Sequence, residues 1–320
     1  MDVVGKRIML FSGSSNPELA KGISDYTGIP LGKVKLETFS NGEYYSRYLE
    51  SVRGADLFII QSIAGDVNNA LMELLIMVDA AKRASARTVT AVISHYGYSR
   101  QDRKSAAREP ITAKLVANLL EVAGVDRVIA IDLHQGQIQG FFDIPVNHLT
   151  ALPLFADYFA AKNIENLCVV SPDVGRAKAA KKLADMLDAD LAIMHKGRPA
   201  HNVAEITNVI GDVEGKNCIM NDDMIDTAGT ICAGARALKE KGAKDIYICA
   251  THGIFSGNAF YNLFRCPAKE VVVCDTIPFP AEHLGGKFKI LSIAPTLGRA
   301  ILNVYNEDSV SEMFDPDFAL

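Results

Sequence analysis

No Cys-x-x-Cys pair occurs in this chain of 320 residues, although it carries six cysteines. Without such pairs a disulfide or zinc framework has no scaffold. Several of Cys168, Cys218, Cys232, Cys249, Cys266 and Cys274 lie inside apolar runs such as YICA and VVVC, which points to buried free thiols in a reducing, cytoplasmic setting. No run approaches the length of a membrane span. The opening MDVVGKRIMLFSGSSNPELA has only a short apolar stretch before a polar loop, unlike a signal peptide. An excess of positive charge is absent too: the net charge of −5 argues against nucleic acid or an anionic membrane as partner. The G-x-x-x-x-G-K-[ST] sequence is also missing, so any phosphate must be held by another device.

What remains is a chain that is 49% hydrophobic, enough for a large core and two domains. Short apolar runs (RIMLF, LFIIQ, VTAVIS, VIAIDL, LCVVS, NCIMN, IYICAT, VVVCDT) read as strands. Amphipathic stretches separate them, among them VNNALMELLIMVDAAKRA, where Leu71, Leu74, Leu75 and Val78 share a face. This alternation predicts an α/β fold: parallel sheets with helices on both sides. Asn16 before Pro17 marks a helix start and Gly28 a stop. A boundary is expected near Asn147 to Pro153, giving domains over 1–149 and 150–305, with the tail from about 306 to 320 packing with the first. Positive charge is local, in RQDRKSAAR and KGR.

One internal match organises the architecture. TAKLVANLLEVAGVDRVIAIDLH, from Thr112, aligns without a gap with TICAGARALKEKGAKDIYICATH, from Thr230, and each ends on a histidine, His134 or His252. Leu120 falls on Leu238, Gly124 on Gly242 and Phe142 on Phe260. The shared unit is a helix, a glycine stop and a buried strand, and it predicts internal duplication. The copies differ just before the helix: the first carries the basic YSRQDRKSAAREPIT, the second the acidic NDDMIDTAGT. Ligands of open α/β sheets bind beyond the carboxyl ends of the strands, so the copies are expected to serve different chemistry.

In NDDMIDTAGT a strand enters and a helix leaves. Ala228 and Gly229 let backbone N–H groups converge on an anion, while Thr227 and Thr230 add hydroxyls and the helix its positive end. A plain N-cap would account for Asp226 or Thr227. It does not account for Asp222 and Asp223 at the end of a buried strand, where an unpaired charge is costly. Their reading is as acceptors for the hydroxyls of a sugar whose phosphate lies in the turn.

This stretch resembles the phosphoribosyl diphosphate loop of type I phosphoribosyltransferases. Within that superfamily the whole chain is similar to the class I, bacterial ribose-phosphate diphosphokinase family, through FSNGE, SVRG, YSRQDRK, REPITAK, DLHQGQIQGFFDIP, SPDVG, NDDMIDTAGT and SVSEMF. The resemblance implies two tandem phosphoribosyltransferase-like (Rossmann-like) domains. It also implies transfer of the diphosphoryl group of Mg-ATP to the 1-hydroxyl of ribose 5-phosphate, releasing AMP. Asp226, Thr227, Ala228, Gly229 and Thr230 would wrap the 5-phosphate, Asp222 and Asp223 would hold the ribose 2- and 3-hydroxyls, alone or through Mg²⁺, and Arg198 would also reach this substrate. Phe39, Asn41, Gly42 and Glu43, with Arg100 and Gln101, would contact ATP. His134 and Asp173 would contact Mg²⁺, and Lys196 and Arg198 would be the catalytic cations of a mobile loop. Ser51, Arg53, Ser309, Ser311 and Phe314 resemble an effector site for inorganic phosphate and ADP, in a homohexamer.

Three positions depart from the family pattern. Asn221 stands where an apolar residue usually precedes the acid pair, Ser94-His95 replaces Pro-Tyr, and Arg176 replaces the second glycine after SPDV. Arg176 is expected to add charge beside Asp173 and alter metal or nucleotide handling. Two other functions share parts of the pattern: a phosphoribosyltransferase consuming phosphoribosyl diphosphate, and a non-catalytic regulatory homologue. The first would not call for FSNGE, YSRQDRK and KGR together; the second would have no use for an intact cation and acid set.

Overall fold

The computed structural model describes residues 7–200 and 203–313; of residues 196–200 and 203–207 only the backbone is described. The chain divides into two compact units. Unit 1 runs up to Leu149, includes Thr276–Pro278 and resumes at Ser292, while unit 2 comprises Thr150–Asp275 and Phe279–Leu291.

Unit 1 contains β1 (Ile8–Ser12), α1 (Pro17–Thr27), β2 (Val34–Thr38), β3 (Tyr44–Tyr48), β4 (Asp56–Gln61), α2 (Val67–Arg83), β5 (Thr88–Ile93), α3 (Thr112–Ala123), β6 (Arg127–Ile131) and β7 (Val146–Leu149). Its sheet has the order β1-β4-β5-β6-β7, parallel throughout. Burial on both faces makes β4 and β5 read as nearly continuous apolar runs. The antiparallel pair β2/β3 forms a separate hairpin. At α1 the sequence signals act as expected: Asn16 Oδ1 accepts from the Leu19 N–H at 3.3 Å, and Gly28, at φ +71°, ends the helix.

Unit 2 contains α4 (Leu152–Ala160), β8 (Leu167–Ser171), α5 (Ala177–Met186), β9 (Asp190–Ala200), β10 (Val203–Ile210), β11 (Asn217–Ile225), α6 (Gly229–Glu240), β12 (Ile246–Gly253), α7 (Ala259–Arg265), β13 (Glu270–Cys274) and β14 (Phe288–Leu291). Its strand order is β10-β9-β8-β11-β12-β13-β14, and only the β10/β9 edge pair is antiparallel.

The last helix, α8 (Ala294–Asn306), belongs to unit 1, so the return begins earlier in the chain than the expected tail from about 306. The cause is its apolar face, with Leu297, Ala300 and Ile301 buried, and its close approach to α1. A Cβ on Gly298 would stand 2.6 Å from Tyr26 Cδ1, and one on Gly22 would stand 3.0 Å from Ala294 Cβ. Only glycine lets the two helices come this near.

The internal repeat has a structural counterpart in each unit. α3 joins neighbouring parallel strands β5 and β6, and α6 joins β11 and β12. Gly124 and Gly242, at φ +108° and +86°, turn out of their helices alike. The Val125 N–H donates to Leu120 O at 3.1 Å, as the Ala243 N–H donates to Leu238 O at 3.0 Å. Leu120 and Leu238 are both fully buried. The basic and acidic stretches are therefore equivalent strand-to-helix connections, each at the carboxyl end of its strand.

Candidate active site

The acidic connection is built by strand, turn and helix in succession. β11 runs to Ile225, beyond the apolar NCIMN, so Asp222 and Asp223 sit within the strand itself. Asp223 is buried at 2% exposure and Asp222 is half-buried. Burial, and then the charge of Asp223, push the Asp222 carboxyl up to about 8, against the opposing pull of Arg176. The Asp223 N–H donates to Asp222 Oδ1 at 2.9 Å, fixing that carboxylate's direction.

Beyond β11 the chain turns at Ala228, a buried alanine at φ +61°. A left-handed alanine costs about 1–2 kcal/mol, so the surrounding contacts must hold it there. Two of those contacts come from the next connection: the Ser256 hydroxyl donates to Asp226 Oδ1, and Asn262 Nδ2 on α7 donates to Thr227 O at 3.0 Å. Neither Ser256 nor Asn262 carried a signal in the sequence, because the turn that they brace is distant in the chain. Among the described residues no side chain caps α6, so the N-cap explanation of Asp226 and Thr227 is not realised. Uncapped N–H groups at a helix start, flanked by the exposed Thr227 and Thr230, suit an oxyanion.

Arg176 takes a different place from the one its neighbours in sequence implied. Its backbone N–H donates to Asp173 Oδ1 at 3.1 Å, as part of the turn leading into α5. Its side chain, however, reaches the acid pair: Nε lies 3.7 Å from Asp222 Oδ1 and 3.9 Å from Asp223 Oδ1. Asn221, 1% exposed, donates through Nδ2 to Cys249 Sγ at 3.4 Å. Burial pushes that thiol up to about 12.

The remaining candidates are distributed over both units. Lys196 and Arg198, expected on a loop, have their backbone in β9, with Lys196 opposite Ile206 of β10; their side chains lie outside what is described. The pairing is irregular, with register shifts at Val203/Glu205 and Ile206/Asn208. In unit 1 the FSNGE segment is the β2–β3 turn: the Gly42 N–H donates to Phe39 O and the Glu43 N–H to Asn41 Oδ1, with Gly42 at φ +89°. Phe39 is exposed, and its ring centroid is 5.6 Å from that of Tyr45. Arg100 and Gln101 open the exposed basic connection, and the Thr112 hydroxyl donates to Gln101 Oε1 at 2.5 Å. His134 is half-buried just past β6 in unit 1, while Asp173 lies two residues beyond β8 in unit 2, at the start of the turn into α5.

Ser51 and Arg53 line a cavity of about 370 Å³ with Ser46, Arg47 and Tyr48. The Arg7 guanidinium donates to Ser51 O at 2.5 Å. Ser309 O accepts from Asn303 Nδ2 at 2.8 Å, and Ser311 begins a short 3₁₀ turn. Phe314 lies outside the described residues.

Comparison with known proteins agrees over nearly the whole chain. The N-terminal domain of ribose phosphate pyrophosphokinase matches residues 8–124, and the phosphoribosyl synthetase-associated domain matches residues 198–315. A ribose-phosphate pyrophosphokinase from Bacillus subtilis is 53% identical over 309 residues, covering 97% of this chain and 98% of its own. One from Fusobacterium nucleatum is 53% identical over 310 residues, covering 96% of this chain and 98% of its own. The crystal structure of phosphoribosylpyrophosphate synthetase from Mycobacterium smegmatis superposes with a TM-score of 0.90 at 45% identity, covering 94% of this chain and all of that one.

Proposed function

This chain belongs to the ribose-phosphate pyrophosphokinase family and is an enzyme; on that premise we propose that it transfers the β,γ-diphosphoryl group of Mg-ATP to the 1-hydroxyl of ribose 5-phosphate, yielding 5-phospho-α-D-ribose 1-diphosphate and AMP. The observation that carries the proposal is the junction of β11 with α6, where two strand-borne carboxylates stand next to an uncapped helix start. A phosphorylated pentose presents complementary groups: hydroxyls to donate to Asp222 and Asp223, and a dianion for the N–H groups of the turn from Asp226 to Thr230.

For the nucleotide we propose Phe39, Asn41, Gly42 and Glu43 together with Arg100 and Gln101. An exposed aromatic ring suits a purine face, and a guanidinium suits phosphate oxygens. Lys196 and Arg198 act on the charge that develops as the diphosphoryl group leaves AMP; phosphoryl transfer depends chiefly on such placed cations and on alignment. Asp173 fits a role toward Mg²⁺. Its carboxylate is fixed by the Arg176 N–H, and magnesium takes oxygen ligands, few from protein when phosphates complete its shell. Among the described residues no group of three or more His, Cys, Asp or Glu side chains could hold a metal alone, which accords with an ion that arrives with the nucleotide. His134 is proposed as a second contact to it. When bound, Mg²⁺ supplies charge neutralisation along the polyphosphate.

We further propose a homohexamer acting in the cytoplasm, with inorganic phosphate as activator and ADP as inhibitor at Ser51, Arg53, Ser309, Ser311 and Phe314. The free, buried thiols suit a reducing compartment. The deciding assay mixes the protein with Mg²⁺, ATP, inorganic phosphate and ribose 5-phosphate and follows AMP. Sugar-dependent AMP release is the expected result. Its absence, with pyrophosphate release from added phosphoribosyl diphosphate and a nucleobase instead, would replace the proposal with a phosphoribosyltransferase.

A further inference from the structure

Two carboxylates on consecutive residues of a buried strand repel each other, and three things can relieve that: a proton, a metal ion, or a fixed cation. Burial lets Asp222 keep a proton up to about pH 8, and this chain carries the third as well. The Arg176 side chain is only 18% exposed, and its Nε is within 4 Å of one oxygen of each acid. These separations are charge contacts and not hydrogen bonds. The Nε–H is buried and, among the described residues, has no hydrogen-bond partner. A buried donor without an acceptor is costly, so a movement of under an ångström toward either carboxyl oxygen is favourable.

The guanidinium is also well anchored for such a task. The Arg176 backbone is pinned by Asp173 at the start of α5, so the side chain extends from a fixed point. Strand alternation places Asn221 and Asp223 on one face of β11, and the same arginine's charge is felt at Cys249, the thiol that Asn221 contacts. The Arg176 side chain is thus largely buried beside the pair and not out in solvent. Because its charge cannot be lost by deprotonation, it is a permanent counter-ion, unlike a lysine or histidine.

We propose that Arg176 is a positioning residue that holds Asp222 and Asp223 as a paired acceptor for the ribose 2- and 3-hydroxyls, in place of a divalent cation at that position. The proposal rests on the assignment of ribose 5-phosphate to this turn. It separates two duties: magnesium serves the nucleotide, and arginine serves the sugar. A purely structural ion pair would not make sugar binding independent of metal.

The test is calorimetric titration of ribose 5-phosphate into the full chain, with Mg²⁺ and with a chelator, for wild type, Arg176→Gln and Arg176→Lys. Wild-type affinity should change by less than about threefold on chelation. Arg176→Gln should lose about tenfold or more without metal and recover most of it with Mg²⁺, while Arg176→Lys should stay close to wild type in both. A direct probe uses Mn²⁺ alone, followed by its spin resonance: Arg176→Gln should gain a site that wild type does not have, and a further Asp222→Asn change should remove it. Wild-type sugar binding that requires Mg²⁺ would overturn the proposal while leaving the sugar assignment intact. Equal affinities for wild type and Arg176→Gln in both conditions would overturn it as well. No binding of ribose 5-phosphate to wild type under either condition would overturn the sugar assignment and this proposal together. Should Arg176→Gln not fold, the wild-type comparison with and without metal decides the matter alone.

Discussion

The connections β5–α3 and β11–α6 occupy equivalent places in their units and end in helices with matching glycine stops, yet one is basic and exposed while the other is acidic and largely buried. The difference lies in where the charge sits relative to the strand. In unit 1 the charged residues Arg100, Arg103, Lys104 and Arg108 follow the strand's end, where water solvates them. In unit 2 the acids lie near the carboxyl end of β11, beside an internal cation. An exposed cationic segment can adapt to a flexible polyphosphate; a buried acid pair presents fixed acceptors to a rigid ring. On the proposed roles, the same scaffold would carry a tolerant contact in one copy and a selective one in the other.

Four substitutions press on that contrast. The largest effect is expected at Lys196→Ala: turnover should fall by about two to three orders of magnitude while ribose 5-phosphate affinity stays nearly unchanged, as measured by steady-state kinetics and calorimetry. Equal loss of binding would make Lys196 an anchor and blur the separation of roles. Next comes Asp222→Asn, which should weaken ribose 5-phosphate binding about tenfold or more. It should also change the pH dependence of stability. The wild-type carboxyl titrates near 8 in the fold against 3.8 in a model chain, so the folded state holds the extra proton between those limits and stability falls as pH rises through that window. Thermal melts at about pH 5 and about pH 9 should show a smaller drop for Asp222→Asn than for wild type; parallel drops would mean that the pair is not strained. The smallest effects on activity belong to Gly124→Ala and Gly242→Ala. Each should cost about 1–2 kcal/mol in its own unit, because alanine resists positive φ. Gly124→Ala should cost more, since its Cβ would meet Lys82 Cγ at 2.7 Å against 3.1 Å from Glu214 Cγ at Gly242. A neutral Gly242→Ala would break the equivalence of the two stops.

Periodicity made the sheets legible. LCVVS coincides with β8, and the helix–glycine–strand repeat appears with its register and caps intact, because parallel strands and helix stops are written in local composition. Contacts set by distant segments were not legible. Arg176 adjoins Asp173 in sequence, and only the adjacency of β8 and β11 turns it toward Asp222. Ser256 and, on α7, Asn262 brace the turn after β11 from further along the chain. α8 offered no sign that its partner would be α1, since an amphipathic face does not name what covers it.

The return of α8 to unit 1 has a consequence for the order in which the chain can be finished. On a ribosome the strands of unit 1 are made before unit 2, but the helix that closes over α1 emerges only after all of unit 2 has been translated. At ordinary elongation rates that interval is on the order of ten seconds. Throughout it the side of α1 around Gly22 lacks the helix that covers it in the finished fold, so the half that begins first is the half completed last.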